Sequence, residues 1–170
     1  MNTSHRMNII KGKMVLIVDD EADIISMLSE LLSECRLDMA SSFEEAKELL
    51  KSKYYDIAIL DIMGVGGYDL LEIAKKRDIP ALMLTSHALS EKDLNRSFQN
   101  GASYYVPKEQ MQDIATFVAD VLEAREKNKN VFLKWYERLG WFFDKKFGGA
   151  DWREKEREFW EEKEKSLHWR

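Results

Sequence analysis

The sequence lacks the features of disulfide bonds, membrane spans and a signal peptide. Cys35 is the only cysteine, so no internal disulfide can form and a reducing compartment is expected. No uninterrupted apolar stretch approaches the roughly 20 residues that a membrane-spanning helix needs. The first ten residues mix Asn, Ser, His and Arg and lack the apolar core of a signal peptide. These absences predict a soluble, cytoplasmic protein.

An excess of positive charge is also missing. The formal net charge is -5 and the pI is about 5.4, so the chain has no overall attraction to nucleic acid or to an anionic membrane. Apolar residues are plentiful, because 45% of the sequence is hydrophobic and can form a core. A length of 170 residues suits one ordinary domain with an appendage.

Strand-like and helix-like patterns alternate from Met14 to Ala124. Continuous apolar runs bounded by turns favour strands that are buried on both faces of a parallel sheet. The predicted strands are Met14–Val18, Leu37–Ala40, Ile57–Leu60, Ala81–Leu84 and Ala102–Val106. Helical periodicity follows each of them, including a helix predicted over Met111 to Ala124. Five such repeats predict an α/β fold with a doubly wound, five-stranded parallel sheet of the flavodoxin-like type.

Polar residues that could bind a ligand or take part in a reaction follow four of these strands. In a doubly wound sheet, ligands bind at the carboxyl ends of the strands, so these residues would meet at one edge. Each alone has a simpler explanation as a helix cap, a turn residue or a solvated side chain. The residues are Asp19 and Asp20, then Asp61, then Thr85, and finally Lys108.

Such a cluster would suit phosphoryl transfer. Three carboxylates close together repel one another, so they hold protons or bind a cation. Oxygen ligands that leave positions to water suit Mg²⁺. An aspartate can then attack phosphorus and carry the phosphate as an acyl phosphate. Lys108 would supply a positive charge and Thr85 a hydrogen bond to the transferring group.

The sequence at these strand ends resembles the receiver domains of two-component response regulators. The resemblance covers roughly two-thirds of the chain, and several motifs occur in the right order. They are Val-Asp-Asp-Glu (Val18 to Glu21), Ile-Leu-Asp-Ile-Met (Ile59 to Met63), Leu-Thr-Ser (Leu84 to Ser86) and Gly-Ala-Ser-Tyr-Tyr-Val-Pro-Lys (Gly101 to Lys108).

The resemblance implies a phosphoacceptor and a metal site. Asp61 would be phosphorylated by a histidine kinase or a phosphotransfer protein. Asp20, Asp61 and the backbone carbonyl of Met63 would bind Mg²⁺ directly, and Asp19 would act mostly through water.

The resemblance also implies a switch rather than a turnover enzyme. Lys108 would contact the phosphoryl oxygens, and Thr85 would move to form a hydrogen bond with one of them. Tyr105 matches the aromatic residue that changes rotamer when Thr85 moves. Output would pass through contact with an unidentified downstream protein.

Two segments depart from the family pattern. The loop from Met63 to Gly67 is short, rich in glycine and without the usual proline. Glu109 follows Lys108 where most receivers have a proline, and Pro107 precedes the lysine instead. His87 would line the entrance to the phosphate, where it either influences attack by water or is simply an exposed loop residue.

The remaining residues form appendages. Residues 1–12 are predicted to be flexible, 13–125 to form the receiver, and 126–170 to form a helical extension without a DNA-binding domain. Val131 to Phe147 has aromatic residues at helical spacing, and a densely charged helix is predicted from Asp151. The aromatic face could pack on the receiver, act as a phosphorylation-dependent output or form a homodimer. Interfacial membrane contact is the least favoured alternative.

Three other functions are alternatives for the whole chain. A haloacid dehalogenase-type phosphatase needs an acid two residues after the nucleophile, where this chain has Met63. A flavodoxin binds phosphate after its first strand, where Asp19, Asp20 and Glu21 would repel it. A receiver-fold interaction module that works without phosphorylation stays open because of the altered loop.

Overall fold

The computed structural model describes residues 3–86, 90–149, 151–154 and 157–165. The strands are β1 Met14–Val18, β2 Arg36–Ala40, β3 Ile57–Asp61, β4 Ala81–Thr85 and β5 Tyr104–Pro107. The helices of the βα repeats are α2 Ala22–Leu31, α3 Phe43–Ser52, α4 Gly67–Lys76, α5 Glu91–Gln99 and α6 Ile114–Glu126. Helix α1 Thr3–Ile10 precedes them, and α7 Phe132–Lys146, α8 Asp151–Glu154 and α9 Arg157–Lys165 follow.

The five strands form one parallel sheet in the order β2-β1-β3-β4-β5, which confirms the predicted doubly wound fold. Every residue of β3 and β4 is buried, as expected for strands with helices on both faces. Val18 pairs with Leu60, so Asp19 and Asp61, the residues that come next on each strand, lie side by side at the carboxyl edge of the sheet. Thr85 pairs with Pro107, which places the residue before Lys108 beside the end of β4.

Local capping explains where several helices begin. The Ser42 hydroxyl accepts a hydrogen bond from the Glu45 amide at 3.2 Å, and the Ser90 hydroxyl accepts one from the Asp93 amide at 3.1 Å. The predicted start of the fifth helix at Met111 is wrong, because Lys108–Asp113 is a 3₁₀ helix and α6 begins at Ile114. Buried Met111 continues the apolar pattern, and that pattern does not separate a short 3₁₀ turn from an α-helical one.

Residues 3–10 of the N-terminal segment form α1. This helix packs along α6, where the Arg6 guanidinium donates to the Thr116 hydroxyl at 2.8 Å. Ile10 is only 2% exposed and joins the core. Contacts more than 100 residues away in the chain order this segment, and local sequence patterns do not reveal them.

The C-terminal aromatic helix α7 packs on the receiver, which is the first of the alternatives stated for it. Trp135, Leu139 and Phe143 are almost completely buried against the sheet and its helices. Trp152 of α8 is also buried, and its indole donates to Asp144 Oδ1 at 2.7 Å, so the segment after Asp151 is not wholly solvated. Among the described helices, none is long and apolar enough to cross a membrane.

Candidate functional site

The carboxyl edge of the sheet brings three of the predicted site residues together. Lys108 Nζ lies 2.8 Å from Asp19 Oδ2 and 3.4 Å from Asp61 Oδ1. All three side chains are shielded, with Asp19 fully buried and the Lys108 side chain 7% exposed. The strand order makes this possible, because β1 and β3 are neighbours and Lys108 follows β5 directly. The lysine therefore reaches the acids although Glu109 stands where most receivers have a proline.

Acidic oxygens gather beside this ion pair. Within the described ranges, the acids whose ligand oxygens lie within 4.8 Å of one another are Asp19, Asp20 and Glu21. Asp19 Oδ1 accepts a hydrogen bond from the Glu21 amide at 2.9 Å, and Glu21 Oε1 lies 3.4 Å from Lys108 Nζ. Glu21 belongs to the Val18 to Glu21 motif but is not among the predicted site residues; its position beside two aspartates is the signal that could have indicated it. Asp61 joins the cluster through Lys108.

The electrostatics of the site favour an additional cation. Burial, followed by repulsion from Asp19, raises the pKa of Asp61 to about 7, while Lys108 opposes this rise. Burial alone would lower the pKa of Lys108, but its hydrogen bond to Asp19 and the charge of Asp61 raise that pKa overall. One ammonium group thus does not neutralise the acids fully. The donors are carboxylate oxygens, the ligand type that hard cations such as Mg²⁺ prefer.

The glycine-rich loop after β3 lies directly against the acids. Gly64 has φ +83°, and a Cβ atom there would lie 2.5 Å from Asp20 Oδ2. The Gly67 amide donates to the Ile62 carbonyl at 3.2 Å, and a Cβ at Gly67 would collide with the Asp61 carbonyl oxygen. Only glycine allows this close backbone approach. Met63, whose carbonyl is a predicted ligand, lies in this loop and is 62% exposed.

The predicted switch residues lie on adjacent strands near the cluster. Thr85 ends β4 and is 2% exposed, while Tyr105 on β5 is fully buried. Met83 pairs with Tyr105 two residues before Thr85, so both residues belong to the same pair of strands. His87 lies outside the described residues.

Comparisons with known proteins agree with this arrangement. Residues 15–119 match the response regulator receiver domain family. The heme response regulator HssR of Staphylococcus aureus (strain bovine RF122 / ET3-1) is 34% identical over 122 residues, which make up 68% of this chain and 54% of that protein. The chain therefore spans about half the length of that curated relative.

Solved structures give the same result. A CheY-like receiver domain protein from Methanospirillum hungatei JF-1 has a TM-score of 0.62 and 25% identity, covering 69% of this chain and 98% of that one. A putative response regulator from Chloroflexus aurantiacus J-10-fl has a TM-score of 0.59 and 27% identity, covering 66% and 99%. The sheet order, the acids at its carboxyl edge and these similarities establish that the chain belongs to the response regulator receiver domain family.

Proposed function

We propose that this protein is a phosphorylation switch in which Asp61 accepts a phosphoryl group from a histidine kinase or a phosphotransfer protein. The observation that supports this most directly is the position of Lys108 Nζ between Asp19 and Asp61 at the carboxyl edge of the sheet. A positive charge at that place would meet the phosphoryl oxygens once Asp61 carries them. These side chains are at most 7% exposed, whereas an ordinary surface ion pair is open to solvent.

The acidic group would hold Mg²⁺ beside the acceptor. Asp19, Asp20, Asp61 and the Met63 carbonyl are the proposed ligands, and Glu21 is added because its carboxylate belongs to the same group of oxygens. Bound magnesium would neutralise the acids and offer the phosphoryl oxygens a second positive partner.

The transfer itself uses the Asp61 carboxylate as the nucleophile. One of its oxygens forms a bond to phosphorus, and the bond from phosphorus to the donor nitrogen breaks with its electron pair leaving on that nitrogen. Asp61 must be deprotonated to attack, and its raised pKa makes the nearby positive charges necessary at neutral pH. The Thr85 hydroxyl would donate to a phosphoryl oxygen, and Tyr105 would respond to the movement of Thr85.

Residues 13–125 would act as the receiver and residues 126–170 as an extension, with output through protein–protein contact. The cycle ends when water removes the phosphoryl group, so the domain is a switch rather than a turnover enzyme. The cytoplasm is the proposed location.

Acetyl phosphate with Mg²⁺ tests the proposal. Intact-mass measurement should show one added phosphoryl group on the wild type and on the Asp69→Asn control, whose acid is exposed on α4, but none on Asp61→Asn. A mass gain that survives Asp61→Asn would place the acceptor elsewhere. No gain in the wild type would favour the phosphorylation-independent interaction module.

A further inference from the structure

Helix α7 makes two direct contacts with Tyr105 on β5. The Trp135 indole Nε1 donates a hydrogen bond to the Tyr105 carbonyl at 2.8 Å. The Phe143 ring lies 5.7 Å from the Tyr105 ring, measured between centroids. Trp135 and Phe143 are both fully buried, so α7 covers the Tyr105 backbone and side chain together.

The Tyr105 side chain is held in an unfavourable environment. It is fully buried, and its hydroxyl has no hydrogen-bond partner in the part of the chain that the structure describes. A buried hydroxyl without a partner costs free energy that contact with water would recover. Rotation of Tyr105 toward solvent would offer that recovery, but the buried Phe143 ring packs beside the Tyr105 ring and Trp135 binds its carbonyl. Packing of α7 therefore retains Tyr105 inside.

A second anchor ties α7 to α6 without contacting Tyr105. The Arg138 guanidinium forms a bidentate ion pair with Asp120 of α6, with Nη2 at 3.1 Å from Oδ1 and Nε donating to Oδ2. The Tyr104 hydroxyl donates to the same Asp120 Oδ2 at 2.9 Å. Asp120 is 3% exposed and the Arg138 side chain 26%, so this pair is partly shielded from solvent and from salt. A substitution of Trp135 or of Arg138 can therefore weaken the docking of α7 through separate contacts.

Strand β5 connects the α7 contact to the phosphoryl site. Tyr105 precedes Lys108 by three residues, and Lys108 contacts both Asp19 and Asp61. On the neighbouring strand, Thr85 pairs with Pro107. Movement of Thr85 toward a phosphoryl group would leave a space near the end of β4. The Tyr105 ring can fill that space when it points inward, that is, toward Thr85 and away from solvent.

We infer that docked α7 favours phosphoryl binding at Asp61 by holding Tyr105 inward, and that Trp135 is a positioning residue for this switch. The inference rests on the proposed function. Coupling between two sites is reciprocal, so a phosphoryl group at Asp61 tightens the docking of α7 by the same factor.

Beryllofluoride with Mg²⁺, a stable mimic of the phosphoryl group, tests the first direction on the full chain. Trp135→Phe keeps an aromatic ring but removes the indole donor to Tyr105. Trp141→Phe is the matched control, because that indole is 54% exposed and donates within α7 to the Arg138 carbonyl at 2.9 Å. Calorimetric titration should show affinity about five- to tenfold weaker for Trp135→Phe and unchanged for Trp141→Phe.

Hydrogen exchange tests the reverse direction. Beryllofluoride should slow the exchange of α7 amides in the wild type by a factor similar to the loss of affinity. Arg138→Gln, which weakens the anchor on α6 without touching Tyr105, should lower beryllofluoride affinity in the same direction. If Trp135→Phe does not fold, the beryllofluoride affinity of Arg138→Gln still tests the inference.

The outcomes separate the two proposals. Wild-type affinity in folded Trp135→Phe and Arg138→Gln, or faster α7 exchange with beryllofluoride, would overturn this inference alone. A wild-type chain that binds no beryllofluoride would overturn the proposed function and this inference together.

Discussion

The ammonium group of Lys108 lies 2.8 Å from a carboxylate oxygen of Asp19, and neither side chain is more than 7% exposed. A buried pair of this kind is hard to break, because removal of one partner leaves the other charge without compensation. Among the described residues, Lys108 is the cation that balances these acids in the absence of a metal ion.

Replacement of that lysine should destabilise the fold. Lys108→Met should lower the free energy of unfolding by about 3 kcal/mol without Mg²⁺, because Asp19 loses its partner. Urea denaturation measures the change. Lys53→Met is the control, since Lys53 pairs with Asp38 at the surface and its loss should cost less than about 1 kcal/mol. Equal losses in the two variants would contradict the assigned importance of the buried pair.

The pH dependence of stability should report on Asp61. Its pKa is about 7 in the folded protein and 3.8 is its ordinary value, so the folded state keeps a proton that the unfolded state loses. The stability that Asp61 contributes without Mg²⁺ should therefore be fully present below about pH 4 and be lost as the pH rises through about 7. The fall contributed by Asp61 should be at most about 4 kcal/mol.

Asp61→Asn provides the comparison for that pH profile. The variant should lose less stability than the wild type between pH 4 and pH 7, and it should be the more stable protein at pH 8. Denaturation at several pH values without metal measures both curves. Parallel curves would show that Asp61 does not carry the raised pKa.

The close approach of Gly64 to Asp20 should make this glycine necessary for metal binding. Gly64→Ala should weaken Mg²⁺ affinity about tenfold, because the added Cβ would displace the Asp20 carboxylate. Gly12→Ala is a matched control, since Gly12 also has positive φ but nothing within 4 Å of the added carbon. Both variants should lose about 1 kcal/mol of stability from backbone strain, and calorimetry with Mg²⁺ should separate them. Equal Mg²⁺ affinities would reject the steric argument.

The ion pair between Asp120 and Arg138 should show strong coupling. Arg138→Leu should cost about 3 kcal/mol because it leaves a buried carboxylate with only the Tyr104 hydroxyl. Asp120→Asn combined with Arg138→Leu should cost less than the sum of the two single changes. Urea denaturation of the four proteins gives the coupling free energy. A purely additive result would mean that the pair adds nothing to the docking of α7.

Much of the fold follows from sequence patterns because β1, β3 and β4 begin as continuous apolar runs and are almost completely buried. The strand ends predicted the meeting of Asp19, Asp61 and Lys108, since parallel strands carry such residues to one edge. The position of Glu21 beside two aspartates was visible in the sequence, but the proximity of its carboxylate oxygen to theirs depends on the tertiary structure.

The terminal segments were harder to predict for a different reason. The aromatic stripe of α7 was visible in the sequence, but its partners were not. Trp135 bonds to Tyr105 at a separation of 30 residues and Arg138 to Asp120 at 18. For α1, the bond between Arg6 and Thr116 spans 110 residues. Such contacts depend on the finished tertiary structure.

The position of β5 at the end of the sheet gives α7 a consequence for self-association. A terminal strand offers unpaired backbone groups to any extended chain that approaches it. Here the carbonyl of Tyr105 already accepts the Trp135 indole, so a strand from another molecule would have to break that bond before it could add to the sheet. Packing of α7 on the receiver therefore hinders aggregation by strand addition at β5.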